Sequence, residues 1–194
     1  MHKGRLEAFS DGVIAIIITI MVLELRVPHG EEWSDLAPLY PVFLSYVLSF
    51  IYLGIYWNNH HHMLQASSRV NGAVLWANLH FLFWLSLTPF VTAWMGENHF
   101  ATAPVVLYGV DLLCAAIAYT ILERTLIAAQ GTDSPLAIAV GAEIKGWIST
   151  GAYVVAVLSA LFLTPWLSLG LYALVGLMWL VPDRRIEREL GRPR

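Results

Sequence analysis

Polar side chains able to share hydrogen bonds or protons stand at the ends of three apolar stretches in this sequence. Ser10 and Asp11 precede the first stretch. Trp57 and His60 close the second, and Asn78 lies early in the third. Polar groups at membrane depth are costly without partners, so they tend to pair. If these ends are adjacent, the side chains can form one hydrogen-bonded network; otherwise they are separate interfacial residues.

A second group of candidate residues forms a stripe on the first stretch. Ile16, Thr19, Ile20 and Leu23 recur at i, i+3, i+4 and i+7, which places them on one helix face. Such a stripe can be an ordinary packing face. Where several copies meet on a symmetry axis, its apolar rings can instead gate a pore by dewetting, and its hydroxyl ring can contact a partly dehydrated ion.

The length of the first apolar stretch favours the pore. Gly12 to Leu23 extends only about 18 Å at the α-helical rise, whereas a hydrocarbon core is about 30 Å thick. Asp11 on one side, and Glu24 and Arg26 on the other, lie close to this short centre. A helix facing lipid would not carry charges there, but a helix opening into watery vestibules could.

Composition predicts an all-α integral membrane protein. Of the 194 residues, 58% are hydrophobic and only 13% are charged, against about 25% charged in soluble domains. The single cysteine, Cys114, excludes an internal disulfide. The run His60-His61-His62 is not a metal site, because consecutive helical side chains point about 100° apart. No catalytic triad, H-E-x-x-H motif or nucleotide loop is present, so we expect no enzyme, no cofactor and no nucleic-acid partner.

Six membrane-spanning helices are predicted to position these residues. The apolar runs place them at about 6–27, 39–62, 72–95, 103–125, 144–163 and 167–181. A polar loop follows the first span, a turn-rich loop covers 128–135, and an interfacial helix from Leu136 precedes the fifth span. Residues 1–183 are thus expected to form one transmembrane domain, followed by a short basic tail at 184–194.

The distribution of basic residues predicts the orientation in the membrane. Of the eleven Lys and Arg residues, ten fall on the side that both termini share, and only Arg26 falls on the other. Lys and Arg concentrate in cytoplasmic segments. We therefore expect a multi-pass protein of the cell membrane with cytoplasmic N and C termini.

The motif R-x-x-x-F-S-D-G-V-I-A-I, from Arg5 to Ile16, resembles the signature of the transmembrane protein 175 family of potassium channels. Trp57-x-x-His60 at the end of the second span agrees with that family. So does Asn78 with the L-x-x-x-x-W that follows it, and so does Thr88-Pro89-Phe90. The F-S-D motif is not repeated, so the resemblance implies a single-repeat prokaryotic protein in the lipid bilayer, assembled as a homotetramer.

By position, the resemblance also implies the pore-lining residues. The first helix of each subunit lines the pore, with Ile16 at the main hydrophobic constriction, Thr19 at a hydroxyl layer and Leu23 at a second apolar ring. These are three of the four stripe residues; the fourth is Ile20.

The same resemblance implies which residues join the cytoplasmic helix ends in a hydrogen-bonded network. Their positions in this sequence are Arg5, Ser10, Asp11, Trp57, His60 and Asn78.

The predicted function is passive conduction of potassium ions, with no cofactor and with potassium itself as the permeating ion. The sequence has no T-V-G-Y-G filter, so selectivity must come from the constriction, and a modest preference for potassium over sodium is expected. The alternative is a proton-coupled secondary transporter that uses Asp111, Asp11 or His60 as a proton relay. Transporters commonly show inverted repeats and broken helices, and neither is visible here.

Overall fold

The computed structural model describes residues 3–131, 134–140 and 144–180, and the regular structure within these ranges is entirely helical. The predicted all-α class is therefore confirmed. The elements are α1 (Lys3–Leu23), a 3-10 helix (Trp33–Leu39), α2 (Tyr40–Gln65), α3 (Gly72–Glu97), α4 (Thr102–Gln130), α5 (Pro135–Val140), α6 (Ile144–Phe162) and α7 (Pro165–Leu180).

Five helices in the described ranges are long and apolar enough to cross a membrane, counting the 3-10 helix and α2 as one. They are α1, α2, α3, α4 and α6. The sixth predicted span corresponds to α7, an apolar helix described over 16 residues. The short α5 lies where the interfacial helix was predicted. The predicted tail at 184–194 lies outside the described residues.

Two predicted boundaries differ from the structure by four residues or more. Helix α1 ends at Leu23, whereas the prediction extended it to residue 27. The residue before a proline is disfavoured in the α conformation, and Pro28 follows closely. Helix α4 continues to Gln130, five residues beyond the predicted end at 125. Gly131 then ends α4 with φ at 97°, a left-handed conformation that glycine adopts without a Cβ clash.

The segment after α1, predicted as a polar loop, contains the 3-10 helix. The Asp35 carboxylate accepts a hydrogen bond from the backbone N–H of Glu32 at 3.0 Å, which closes a capping box at the first turn. The acidic residues of this segment therefore stabilise a local helical turn that leads into α2.

Helices α3 and α4 form the centre of the bundle. Helix α3 packs on α1, α2 and α4, and α4 packs also on α6 and α7. The large side chains that are almost completely buried in these two helices include Phe81, Leu85, Tyr108, Leu112 and Leu122. Helix α1 lies at the edge of the bundle, against α2 and α3. One face of α1 is therefore available for contacts outside the single chain.

The close approach of α4 to α6 and α7 at Gly109 makes a first prediction. A Cβ at Gly109 would meet the hydroxyl of Tyr172 and lie 2.8 Å from Cγ2 of Val157. The Tyr172 hydroxyl is buried and donates to the carbonyl of Val105, so it cannot move without losing that bond. We expect Gly109→Ala to lower the free energy of unfolding by about 1–3 kcal/mol, as overpacking does.

Thermal or denaturant unfolding in detergent measures this change. The control is Gly170→Ala in α7, where an added Cβ meets no atom within 4 Å. Equal stability of the two variants would contradict the packing described at Gly109.

Candidate functional site

Helix α1 has one buried face, which is set by its packing on α2 and α3. The buried residues recur at helical spacing: Leu6, Ser10, Ile14, Ile17 and Met21. All but Ser10 are apolar, so this face is held chiefly by the burial of hydrocarbon.

The opposite face of α1 carries the predicted stripe and is uncovered in the single chain. Ile16 is 58% exposed and Leu23 is 80% exposed, and Thr19 and Ile20 are exposed as well. The Thr19 hydroxyl donates to the carbonyl of Ile16 at 2.9 Å, so its oxygen retains lone pairs directed away from the backbone. The stripe is therefore not a packing face within the subunit.

An apolar groove runs along part of this face, between α1 and α3. Ile16 and Ile20 line it from α1, and Pro89 and Phe90 line it from α3. Glu24 lies at one end of the groove. The stripe residues thus border both the uncovered surface of α1 and the neighbouring helix that carries the predicted Thr88-Pro89-Phe90 motif.

Four hydrogen bonds involve the predicted network residues, and two of them join the start of α1 to α2 and α3. The Trp57 indole N–H donates to Oδ1 of Asp11 at 3.0 Å. His60 Nε2 lies 2.8 Å from Oδ1 of Asn78, and Nδ2 of Asn78 donates to the Ser10 hydroxyl at 3.0 Å. The Ser10 hydroxyl donates to the carbonyl of Leu6 at 2.9 Å. Five of the six predicted network residues are therefore hydrogen-bonded in two groups, Trp57 with Asp11, and His60 with Asn78 and Ser10.

The direction of donation in this network follows from the groups present. An amide oxygen only accepts, so His60 donates through Nε2, and the protonated nitrogen is Nε2. His60 therefore donates to Asn78, Asn78 donates to Ser10, and Ser10 donates to the backbone carbonyl of Leu6. His60, Asn78 and Ser10 are all buried. Satisfied buried polar groups of this kind hold helices in one relative position.

Arg5 is placed apart from these residues. It is exposed, and it makes no hydrogen bond or ion pair with the described part of the chain.

Lys3 makes two contacts that the sequence interpretation missed. Its Nζ lies 2.9 Å from the carbonyl of Leu64 at the end of α2, and 3.4 Å from Oε1 of Glu7. The i,i+4 spacing of Lys3 and Glu7 was the available signal.

A second missed contact joins the other end of α1 to α3. Nη2 of Arg26 lies 2.6 Å from Oε1 of Glu97, and both side chains are solvent-exposed. Arg26 lies just beyond the end of α1, and Glu97 is the last residue of α3. The sequence could not predict this pair, because the two residues are far apart in the chain and their contact depends on α1 and α3 being neighbours.

Asp111 belongs to a different buried group. The Thr88 hydroxyl donates to its Oδ2 at 3.0 Å, and the Thr92 hydroxyl donates to the carbonyl of Thr88. Ser49 lies within hydrogen-bonding distance of both Thr92 and Tyr108. Within the described residues, no hydrogen bond joins this group to the network around His60. The groups proposed for a proton relay are therefore not connected by direct hydrogen bonds.

These features define a multi-pass α-helical membrane protein whose first helix is anchored to two neighbours and uncovered along one face. Residues 5–89 match the family model described as endosomal/lysosomal potassium channel TMEM175. The chain is 56% identical over 190 residues, 98% of both chains, to a Chryseobacterium sp. (strain P1-3) protein named as a potassium channel. The chain belongs to the TMEM175 family. The matched residues include every residue of the stripe and of the predicted network.

Two further similarities agree with this assignment. A protein of Chamaesiphon minutus named as a potassium channel is 31% identical over 183 residues, covering 87% of this chain and 89% of that one. The crystal structure of a Chamaesiphon minutus homologue, described as a lysosomal potassium-selective channel TMEM175 homolog, superposes with a TM-score of 0.81. It is 29% identical and covers 93% of this chain and 97% of its own. The resemblance inferred from the F-S-D motif is confirmed.

Proposed function

We propose that this chain is a potassium-permeable ion channel that conducts passively across the membrane. The observation that carries the proposal is the uncovered stripe on α1, a helix whose other face is packed against α2 and α3. The full-length Chryseobacterium relative is named as a potassium channel, and the similar crystal structure is described as potassium-selective. Both support potassium as the ion.

The pore is a homotetramer in which the stripe of each subunit faces the axis. Four copies of Ile16 and of Leu23 form apolar rings, and four copies of Thr19 form a hydroxyl ring between them. An apolar ring forces an ion to lose part of its hydration shell, and hydroxyl oxygens replace part of that shell. Potassium holds its water less tightly than sodium does, so this arrangement prefers potassium without excluding sodium.

The network at the start of α1 keeps the pore helix in register with the rest of the subunit. Asp11 binds Trp57 of α2, and Ser10 binds Asn78 of α3. Arg5, which lies on the same end of α1 and is exposed, is available to a neighbouring subunit of the tetramer. The function of these residues is to position the stripe rather than to touch the ion.

The orientation that fits the charges places both termini in the cytoplasm and the protein in the cell membrane. Lys3, Arg5, Arg69, Arg124 and Lys145 lie toward the end of the bundle where α1 begins. Cytoplasmic ends of spans carry this excess of positive charge. Residues 1–183 are then one channel domain, with 184–194 as a basic cytoplasmic tail.

Current measurements on purified protein in planar bilayers test the function. We expect a linear current in symmetric potassium chloride, and a reversal potential that follows the potassium gradient and shifts little with a pH gradient. Conduction through a water-filled path does not require coupling to another ion, so the current must persist without any proton gradient.

The control variant is Asp111→Asn, which keeps an oxygen to accept from Thr88 but cannot carry a proton. The channel proposal expects Asp111→Asn to conduct like the unmodified protein. Saturating, slow potassium flux that requires a proton gradient and is abolished in this variant would identify a proton-coupled transporter instead.

A further inference from the structure

A groove on the surface of the bundle lies between α4 and α6, outside the regions described above. Ile117, Ile121 and Arg124 line it from α4, and Trp147 and Thr150 line it from α6. The isoleucines and the tryptophan are exposed. The groove is therefore apolar and lies on an exposed surface of the bundle, with one cationic side chain among its lining residues.

Arg124 is the unusual member of this lining. It is exposed and lies six residues, or about 9 Å of helix, before the end of α4. It makes no hydrogen bond or ion pair with any residue that the structure describes. A guanidinium beside hydrocarbon is costly unless an anion or water neutralises it. Its planar fork of N–H groups matches the oxygens of a phosphate.

Two features mark this end of the groove as the level of lipid headgroups. Trp147 is 71% exposed in the first turn of α6, and exposed tryptophans of this kind favour the membrane interface. Lys145 precedes Trp147 by two residues, and its ammonium lies 5.6 Å from the ring centre of Trp179. Arg124 is the cationic side chain that lines the groove at this end.

The groove lies beside a cleft in the bundle. Thr120, Gly146 and Thr150 border both the groove and a cleft between α2, α4, α6 and α7. The side chains of Tyr52 and Tyr153 line the cleft on its inner side. A hydrocarbon chain lying in the groove would therefore lie directly beside this cleft.

We propose that this groove binds one anionic phospholipid per subunit. The phosphate lies against Arg124, the headgroup lies at the level of Trp147, and an acyl chain runs along Ile117 and Ile121. With the orientation proposed above, the lipid comes from the cytoplasmic leaflet, where anionic headgroups attract basic side chains. The site does not involve the stripe on α1. A failure of the lipid proposal would therefore leave the proposal of ion conduction unaffected, and the reverse also holds.

Native mass spectrometry of the full-length protein tests the proposal by counting bound lipids. Phosphatidylglycerol and phosphatidylcholine with the same acyl chains are titrated against the protein in detergent. We expect tighter retention of phosphatidylglycerol, and we expect Arg124→Gln to weaken its binding about five- to tenfold. The matched control is Arg69→Gln, which removes an exposed positive charge from the α2–α3 loop on the same side and should leave binding unchanged.

Two further measurements identify which part of the lipid the groove recognises. Arg124→Lys keeps the charge but loses the two-pronged geometry, so it should bind more tightly than Arg124→Gln and less tightly than the unmodified protein. Glycerol phosphate, which has the anion but no acyl chain, should not compete. Equal losses in Arg124→Gln and Arg69→Gln, equal retention of the two lipids, or full competition by glycerol phosphate would each overturn the proposal.

Discussion

Ile16→Ala is expected to remove most of the preference for potassium over sodium and to increase the current at a given voltage. Ile16 is 58% exposed and is the first residue of the α1 stripe. Replacing isoleucine by alanine in four subunits widens the proposed apolar ring, so both ions pass with more of their water retained. Since selectivity of this kind depends on partial dehydration, the two permeabilities should converge.

Reversal potentials under bi-ionic conditions, with potassium on one side and sodium on the other, measure this change. The matched control is Ile148→Ala, because Ile148 is 51% exposed on α6 and loses the same atoms. It should leave the permeability ratio unchanged. An unaltered ratio in Ile16→Ala, with normal current, would show that Ile16 does not form the selective constriction, although family membership would be unaffected.

The same measurement on Leu23→Ala ranks the two proposed rings. Leu23 is the last residue of α1 and is 80% exposed. If Ile16→Ala loses more selectivity, Ile16 forms the narrower of the two proposed rings. If Leu23→Ala loses more, Leu23 forms it. This comparison separates the contributions of Ile16 and Leu23, which share one face of the helix and one side-chain chemistry.

Asn78→Ala is expected to have the largest effect on stability among the network residues. Asn78 is fully buried and bonds both His60 and Ser10. Its removal leaves the His60 Nε2–H without its acceptor and opens a small cavity between α1, α2 and α3. An unsatisfied buried donor with lost packing costs about 2–4 kcal/mol. Much of the protein should then fail to assemble.

Size-exclusion chromatography and thermal unfolding of the purified protein measure this loss. The control is Asn58→Ala, at a half-buried position on α2 where the amide makes no hydrogen bond with the described part of the chain. Asp11→Ala removes only the bond to Trp57, whose side chain is 42% exposed, so it should reduce the amount of the proposed tetramer by less. A stable, fully assembled Asn78→Ala variant would contradict the anchoring role of the network.

The pairing of the network residues was only partly predictable. The cost of unpaired polar groups identified Ser10, Asp11, Trp57, His60 and Asn78 as side chains that need partners. The structure hydrogen-bonds all five in two groups, Trp57 with Asp11, and His60 with Asn78 and Ser10. The pattern of donors could not be derived, because it depends on which side chain of α3 meets Ser10. The same limit applied to Arg26 and Glu97, whose contact requires knowing that α1 and α3 are neighbours.

The sequence by itself determined the class, the approximate spans and the face of α1 that carries the stripe. These are local properties: hydrophobic composition, periodicity along one helix and a motif of adjacent residues. These properties do not depend on how the helices pack together, so they can be inferred from the sequence of a single chain.

The tertiary structure alone decided which face of α1 is covered and which side chains surround the buried Asp111. Helix α1 packs on α2 and α3 through Ser10, Ile14 and Ile17, and this leaves Ile16 and Leu23 exposed. Asp111 meets Thr88 rather than the network. Both faces of α1 are rich in isoleucine, so hydrophobicity could not choose between them. The choice depended on contacts between residues far apart in the chain.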